Sequence, residues 1–295
     1  MKIGFIGTGV MGSRMIIRLL DAGFNVLIYN RSQQKLEPLL ARGAKGSKDI
    51  AALAEECDYI CTCLSMPKDV LDVYSNAGGI LENAGPDTVC LDFTTIGVET
   101  SRSIYQLAKE KKIHYLDAPV SGGPEGAEQG SLTIMVGGER SDYERVYPII
   151  EVLGCNIEFL GESGSGSAAK LINQYLVAVH SVAASEAMVA GAAFGLNSDQ
   201  LYQLLKVSYG DSRMLERHME QYVLERQFEP GGAVKYVHKD VVLANQLFEK
   251  TGMERYLGQY AEQAFSLAME QGLANLDMSA VIQPLEKTCR VIVKK

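Results

Sequence analysis

The sequence predicts a two-domain protein: an α/β domain with a mainly parallel, doubly wound sheet, then a long interdomain helix and an all-α domain. Short apolar runs alternate with helical patterns in residues 1–161, which hold 19 of the 29 glycines and 6 of the 8 prolines. Strands that alternate with helices indicate βαβ units. No proline lies between Pro148 and Pro230, so the second half favours long, uninterrupted helices. At 295 residues the chain fits two domains, which we place at 1–162 and 163–295.

The predicted strands of the first domain are apolar runs of ordinary strand length. They are Lys2–Ile6, Phe24–Tyr29, Asp58–Leu64, Thr88–Phe93, Ile113–Ala118, Leu132–Val136 and Asn156–Leu160. The helix-like segments between them are Val10–Ala22, Val98–Glu110 and Ser141–Leu153. A parallel sheet covered by helices on both faces explains the nearly continuous apolar run from Tyr59 to Leu64.

The pattern of the second domain predicts helices only. Ser165–Ala193 is a long apolar segment that would extend about 40 Å as a helix. Because its apolar residues lie on most sides, we expect a buried core helix. The further predicted helices are Ser198–Ser208, Met214–Arg226, Lys239–Lys250 and Tyr256–Gln271.

Composition and charge exclude several classes of protein. With 28 Lys+Arg against 36 Asp+Glu, the net charge of −8 and the absence of a basic run argue against a nucleic-acid partner. Five polar residues interrupt the long apolar segment, so we expect no membrane span. They are Lys170, Asn173, Gln174, His180 and Glu186. The N-terminus has no signal-peptide pattern, and the 6 cysteines and 4 histidines have no zinc-site spacing, so we expect a cytoplasmic protein that uses no metal.

A glycine motif follows the first strand. Gly7-Thr8-Gly9-Val10-Met11-Gly12 opens a helix that leads to a second strand ending at Tyr29. In a βαβ unit of about 30 residues, this motif indicates dinucleotide binding rather than a turn without a ligand. Gly7 allows the tight turn, Gly9 lets the backbone approach a pyrophosphate, and Gly12 lets the helix pack on the strand. The helix N-terminus offers its N–H groups to the phosphates.

The residues after the second strand distinguish the two nicotinamide cofactors. NAD-binding sites usually place Asp or Glu there, on the ribose 2′-hydroxyl. This chain has Asn30-Arg31-Ser32, in which no carboxylate repels a 2′-phosphate and Arg31 and Ser32 provide donors for one. We therefore expect NADP(H) in preference to NAD(H). The alternative is that Arg31 is a solvated side chain and Ser32 only the N-cap of a helix over Gln33–Leu40.

Two further patterns contain candidate catalytic and binding residues. The stiff loop at Asp117–Ala127, with paired glycines and two prolines, exposes backbone N–H groups that suit a carboxylate. An ordinary turn is the alternative. The long helix begins at Gly164-Ser165-Gly166 and places Lys170 and Asn173 on one face. A lysine early in an apolar helix loses solvation, which lowers its pKa and favours proton exchange near neutral pH, unless the side chain extends to the surface.

Together these patterns resemble the β-hydroxyacid dehydrogenase family over nearly the whole chain. The resemblance is carried by the glycine motif, by Asp117–Gly123, by Gly164-x-Gly166-x-x-x-Lys170-x-x-Asn173, and by Lys239-Asp240 at the head of a predicted helix. Within the family, Asn30-Arg31-Ser32 is most similar to the NADPH-dependent glyoxylate/succinic semialdehyde reductase branch. The resemblance implies a Rossmann domain, an interdomain helix, and an all-α domain that forms homodimers or homotetramers.

The resemblance also implies roles for the residues that match the family's motifs. Lys170 would be the general acid/base, and Asn173 would orient the substrate or Lys170. Ser121, Gly122 and Gly123 would hold the substrate carboxylate. The cofactor-binding positions, beyond the glycine motif and Asn30-Arg31-Ser32, are Leu64, Ser65, Met66, Thr95 and Lys239. Ser65 stands where the family usually has proline.

The implied reaction is hydride transfer between NADP(H) and a short aldehyde acid such as succinic semialdehyde or glyoxylate, with Lys170 as the proton donor. The reactions of 3-hydroxyisobutyrate dehydrogenase and of tartronate semialdehyde reductase are alternatives within the family. Imine reductases are similar in fold, but that group usually replaces the lysine. A catalytically silent NADP-binding scaffold is the alternative outside the enzymes, against which the intact Lys170, Ser121 and Asn173 argue.

Overall fold

The computed structural model describes residues 1–295 and divides into two compact units, Met1–Lys170 and Leu171–Lys295. All strands lie in the first unit, and the second unit is helical. The predicted fold class, a mainly parallel α/β domain followed by a long helix and an all-α domain, is confirmed.

Nine strands form one sheet. They are β1 (Lys2–Ile6), β2 (Asn25–Tyr29), β3 (Lys45–Gly46), β4 (Tyr59–Thr62), β5 (Val89–Asp92), β6 (His114–Asp117), β7 (Val120–Ser121), β8 (Leu132–Gly137) and β9 (Gly154–Gly161). The order is β3-β2-β1-β4-β5-β6-β8-β7, and β9 pairs with β8. The pairs from β3 to β6 and the β8–β9 pair are parallel, whereas β8 runs antiparallel to β6 and β7. Because β2 and β4 flank β1 on opposite sides, the carboxyl end of β1 lies at the switch point where open α/β sheets bind ligands.

Helices cover both faces of this sheet. They are α1 (Val10–Asp21), α2 (Glu37–Leu40), α3 (Ile50–Glu56), α4 (Pro67–Ser75), α5 (Ile80–Asn83), α6 (Val98–Glu110), α7 (Gly123–Gln129) and α8 (Arg140–Ile150), with a 3₁₀-helix at Gln33–Leu36. Met15 of α1 and Val146 of α8 belong to the apolar core on one face. Leu53, Val70 and Ile104, on α3, α4 and α6, belong to a second apolar core. The two clusters are what a sheet buried on both faces requires.

The second unit consists of helices joined by short loops. They are the greater part of α9 (Ser165–Phe194), then α10 (Ser198–Lys206), α11 (Arg213–His218), a π-helix (Met219–Val223), α12 (Val234–Lys250), α13 (Leu257–Glu270), a 3₁₀-helix (Met278–Ile282) and α14 (Gln283–Cys289). Side-chain caps fix the starts of three of them: α10, α11 and the 3₁₀-helix, whose cap is Asp277. Asn197 Oδ1 accepts a hydrogen bond from the Gln200 N–H at 2.9 Å at the start of α10, and Ser212 Oγ accepts from the Leu215 N–H at 3.1 Å at the start of α11.

Helix α9 is long and apolar enough to cross a membrane by length and composition, and 39% of its most apolar window is buried. Its buried residues recur every three or four positions, which makes one stripe rather than a helix buried on most sides. They include Leu171, Gln174, Ala178, Ser181, Ser185 and Met188. Ile172 and Leu176, on other faces, are exposed. The sequence did not show this stripe because apolar residues also occupy the outer faces.

The predicted strands end within two residues of those observed, and the helix at Val98–Glu110 has the predicted bounds. Two helices of the second unit differ from the prediction. The segment predicted as one helix from Met214 changes at His218 into the π-helix. Helix α12 begins at Val234, so Lys239 lies in its second turn and not at its head. Its N-cap, Ala233, has no side chain that could cap the helix, so the sequence carries no signal for this start.

Candidate active site

The turn between β1 and α1 has the backbone geometry of a phosphate-binding turn. Gly7 has a φ of +104°, and its N–H donates to the carbonyl oxygen of the last residue of β2 at 3.1 Å. A Cβ on Gly12 would lie 2.1 Å from the carbonyl oxygen of Gly7, so only glycine lets α1 pack this closely. Gly9 is the N-cap of α1, and an added Cβ there would meet no atom within 4 Å. The helix N-terminus at Val10 and Met11 is therefore uncapped beside open space, as pyrophosphate binding requires.

The residues after β2 carry no carboxylate, but one approaches them from α4. Arg31 is 85% exposed in its side chain, and its Nη2 lies 3.4 Å from Oδ1 of Asp69. Ser32 occupies the N-cap position of the 3₁₀-helix that follows, but its side chain makes no capping hydrogen bond. Asn30 Nδ2 donates to the carbonyl oxygen of Ser32 at 3.1 Å, which holds this turn. Sequence reasoning missed Asp69, which lies in a different element from Arg31.

The loops after β4 and β5 carry four residues predicted to bind the cofactor: Leu64, Ser65, Met66 and Thr95. A buried carboxylate connects these loops. Asp92, the last residue of β5, accepts hydrogen bonds on Oδ1 from Thr62 Oγ1 at 2.8 Å and from the Thr94 N–H at 3.0 Å. Thr94 Oγ1 accepts in turn from the Leu64 N–H at 2.9 Å. Burial raises the pKa of Asp92 to about 6, although its hydrogen bonds act in the opposite direction.

The predicted stiff loop at Asp117–Ala127 is a junction between a strand and a helix. Ser121 ends β7, and Gly122 is the N-cap of α7, without a side-chain cap. Gly122 has a φ of +130° and Gly123 a φ of +65°, conformations that favour glycine. The hydroxyl of Ser121 is therefore followed directly by the uncapped N-terminus of a helix. Both are donors that can bind a carboxylate.

A buried carboxylate also holds the first turn of α9. Asp117, the last residue of β6, accepts from the N–H groups of Gly164 and Ser167, each at 2.7 Å. Lys170 follows Ser167 by about one helical turn. Lys170 is 7% exposed, so its side chain does not extend into solvent. The alternative of a lysine that reaches the surface therefore does not apply.

Asn173 and Lys239 belong to the second unit, where polar contacts connect α9 with α12. Asn173 Nδ2 donates to Gln174 Oε1 at 3.1 Å, and Gln174 Nε2 donates to Asp240 Oδ2 at 2.5 Å. Lys239 Nζ lies 2.9 Å from Asp240 Oδ1. Gln174 was not predicted as a site residue. Its contact with Asp240 spans 66 positions of sequence, so only its place beside Asn173 could have indicated it.

Two family models match the chain, one over each part. Residues 2–161 match the NAD binding domain of 6-phosphogluconate dehydrogenase. Residues 164–285 match the model described as the NAD-binding of NADP-dependent 3-hydroxyisobutyrate dehydrogenase. Together these matches extend over most of the chain.

Known relatives and a solved structure are similar over nearly the whole length. The 2-(hydroxymethyl)glutarate dehydrogenase of Eubacterium barkeri is 34% identical over 292 residues, 99% of this chain and 97% of that protein. Glyoxylate/succinic semialdehyde reductase 1 of Arabidopsis thaliana is 32% identical over 286 residues, 97% of this chain and 99% of that protein. The structure of Mycobacterium tuberculosis 3-hydroxyisobutyrate dehydrogenase with L-serine is 30% identical, with a TM-score of 0.88, and covers 96% of this chain and 98% of that one.

Proposed function

The chain belongs to the 3-hydroxyisobutyrate dehydrogenase-like β-hydroxyacid dehydrogenases, NAD(P)-dependent enzymes that act on CH–OH groups, and on that premise we propose that it reduces a short aldehyde acid to the hydroxy acid with NADPH. The observation that carries the proposal is the burial of Lys170 in the same compact unit as the phosphate-binding turn and Ser121–Gly123. A proton donor, a cofactor anchor and a carboxylate anchor are the parts that this reaction needs.

The residues present fit NADP(H). The uncapped N-terminus of α1 would hold the pyrophosphate, and the open space at Gly9 admits it. Arg31 and the hydroxyl of Ser32, which makes no capping bond, would hold the 2′-phosphate. The loops at Leu64–Met66 and Thr95 would flank the nicotinamide. When bound, the cofactor supplies the hydride.

The chain's own residues bind the substrate and supply the proton. Ser121 Oγ and the N–H groups of Gly122 and Gly123 bind the carboxylate and so fix the distance from this anchor to the carbonyl group. Lys170 Nζ donates a proton to the carbonyl oxygen as negative charge develops there, and in the reverse direction it accepts the proton from the hydroxyl group. The predicted role of Asn173 is to orient the substrate or Lys170.

We propose succinic semialdehyde, glyoxylate or a similar aldehyde acid as the substrate. The relative from Arabidopsis is named for reduction of these two compounds. Methylmalonate semialdehyde or tartronate semialdehyde would instead make the protein a 3-hydroxyisobutyrate dehydrogenase or a tartronate semialdehyde reductase. We also propose a cytoplasmic homodimer or homotetramer, which light scattering on the purified protein would measure.

The test follows NADPH absorbance with purified protein and these four aldehyde acids, with NADH and a Lys170→Ala variant in parallel. We expect rapid NADPH-dependent turnover of one aldehyde acid, lost in the variant. Equal efficiency with NADPH and NADH would contradict the cofactor preference alone. NADPH binding without turnover of any of the four would contradict the enzyme and favour the scaffold.

A further inference from the structure

We propose that Asp117 is a positioning residue whose carboxylate fixes the first turn of α9, and with it Lys170, relative to the substrate-binding segment that ends at Gly123. The proposal rests on the function proposed above for Lys170 and Ser121–Gly123. Asp117 itself touches neither substrate nor cofactor in this scheme. It acts through the two chain segments that it joins.

Both carboxylate oxygens of Asp117 accept hydrogen bonds from the backbone at the start of α9. Oδ1 accepts from the Gly164 N–H and Oδ2 from the Ser167 N–H, each at 2.7 Å. These are short, charge-assisted hydrogen bonds to a side chain that is 1% exposed. A buried carboxylate with two backbone donors resists displacement, because any shift of the turn leaves a charged oxygen without a partner.

Backbone contacts show how closely the helix is held against the sheet. A Cβ on Gly166 would lie 2.2 Å from the carbonyl oxygen of Met135 and 2.8 Å from that of Asp117. A Cβ on Gly137 would lie 2.8 Å from Asp117 Oδ1 and from the Gly166 nitrogen. At Gly166 the main chain of α9 therefore lies directly against the main chain of β6 and β8. The hydrogen bonds of the carboxylate and these close backbone contacts together restrict the position of the first turn.

The same residue starts the substrate-binding segment. Asp117 pairs with Asp92 of β5 and with Gly137 of β8 in the sheet, and Ser121 follows four residues later. In the other direction, Lys170 lies about 4.5 Å along the helix axis from Ser167. One carboxylate thus sets the spacing between the proton donor and the carboxylate anchor. Displacements of about 1 Å in such a geometry can reduce the rate about 10²-fold.

Asp117→Asn is the direct test, since the amide has one acceptor oxygen and its NH₂ group would face a backbone N–H. Asp142→Asn is the matched control. Asp142 is also buried in the first unit. Its Oδ2 lies 2.8 Å from Nδ1 of His114, from which it accepts a hydrogen bond, and His114 begins β6 whereas Asp117 ends it. We expect Asp117→Asn to lower kcat about 10²-fold and to shift the Lys170 limb of the kcat–pH profile, with the Kd for NADPH unchanged. Asp142→Asn should lower Tm and keep kcat.

Hydrogen exchange gives a second readout that does not depend on turnover. Exchange of the Gly164–Lys170 amides should rise in Asp117→Asn and stay at the wild-type rate in Asp142→Asn. A folded Asp117→Asn protein with wild-type kcat, or with wild-type exchange in this segment, would overturn the proposal. If the wild-type protein reduces none of the aldehyde acids, the function proposed above fails, and raised or unchanged exchange still decides whether Asp117 anchors the turn.

Should Asp117→Asn not fold, Gly166→Ala supplies the test. It leaves the carboxylate in place and pushes the same turn away from the Met135 carbonyl oxygen. A fall in kcat with intact NADPH binding would support the positioning role. Wild-type kcat in a folded Gly166→Ala protein would overturn it.

Discussion

The difference in stability between the Asp92→Asn variant and wild type should shift in favour of the variant as pH rises from acidic to neutral. Asparagine fits the local hydrogen bonds, because Thr62 and Thr94 both donate to the same oxygen, Oδ1. The other oxygen accepts from Tyr115 at 3.3 Å, and the Thr94 hydroxyl also hydrogen-bonds to the carboxylate. A hydroxyl can rotate to accept from an amide instead. The substitution therefore removes the ionisable group and keeps the contacts.

The magnitude follows from the shift in the pKa of Asp92, from 3.8 to about 6. Because the folded state holds this proton more tightly, the contribution to stability is full below the unfolded pKa and is lost as pH rises through about 6. The whole loss is about 3 kcal/mol, of which about 1 kcal/mol falls between pH 5 and pH 7. Burial raises the pKa of Tyr74 and of Tyr115 well above their usual range, so these neighbours stay neutral.

The assay is urea unfolding of wild type and Asp92→Asn at several pH values from 5 to 8. We expect the difference in unfolding free energy to grow in favour of the variant by about 1 kcal/mol between pH 5 and pH 7. Buried groups elsewhere titrate equally in both proteins and cancel in the difference. A difference that does not change with pH would show that Asp92 is ionised throughout, which refutes the argument.

Three further predictions concern Lys170, the Arg31–Asp69 pair and His218. Lys170→Ala should lower kcat at least about 10²-fold with little change in NADPH binding, and a variant with near wild-type kcat would remove Lys170 from the mechanism. Asp69→Asn should raise the NADPH-to-NADH ratio of kcat/KM several-fold, because the carboxylate 3.4 Å from Arg31 would compete with the 2′-phosphate. Arg31→Ala should lower this ratio. An unchanged ratio in both variants would contradict the proposal that Arg31 binds the 2′-phosphate. Burial lowers the pKa of His218 to about 3, so wild type should lose stability as pH falls below about 6.5, and His218→Gln should lose less; equal losses in urea unfolding would contradict a buried neutral histidine.

The long elements could be predicted because their patterns repeat several times. The helix at Val98–Glu110 has three turns of periodicity. The glycine motif could be identified for another reason, because all its residues lie in one turn of the chain. The two residues of β7 are too few to show an alternating pattern, and α7 contains Gly123, Pro124 and Gly126, which are typical of turns. The Asp117–Ala127 segment was therefore predicted as a loop, whereas the structure has β7 and α7 there, and its role as a source of backbone donors stays a prediction.

Contacts between residues that are far apart in the sequence could not be predicted either. Nothing near Arg31 in the sequence indicates Asp69, and nothing near Gly164 indicates that its N–H donates to a residue 47 positions earlier. Asp92 and Asp117 both end strands, which marks them as candidates at the carboxyl edge of the sheet. Only the structure shows that the Asp92 carboxylate joins the loops after β4 and β5 and that the Asp117 carboxylate accepts hydrogen bonds from the first turn of α9.

The backbone contacts at Gly12 and Gly166 have a consequence for how such an enzyme can diversify. At both positions an added Cβ would collide with a main-chain oxygen, so any residue other than glycine would displace the backbone. The side chains of Arg31 and Asp69 are 85% and 22% exposed, so other residue types can replace them without displacing the backbone. In the proposed cofactor site, Arg31 and Asp69 stand at the adenosine end, so a mutational library aimed at a new cofactor should be concentrated on these two positions and should leave both glycines unchanged.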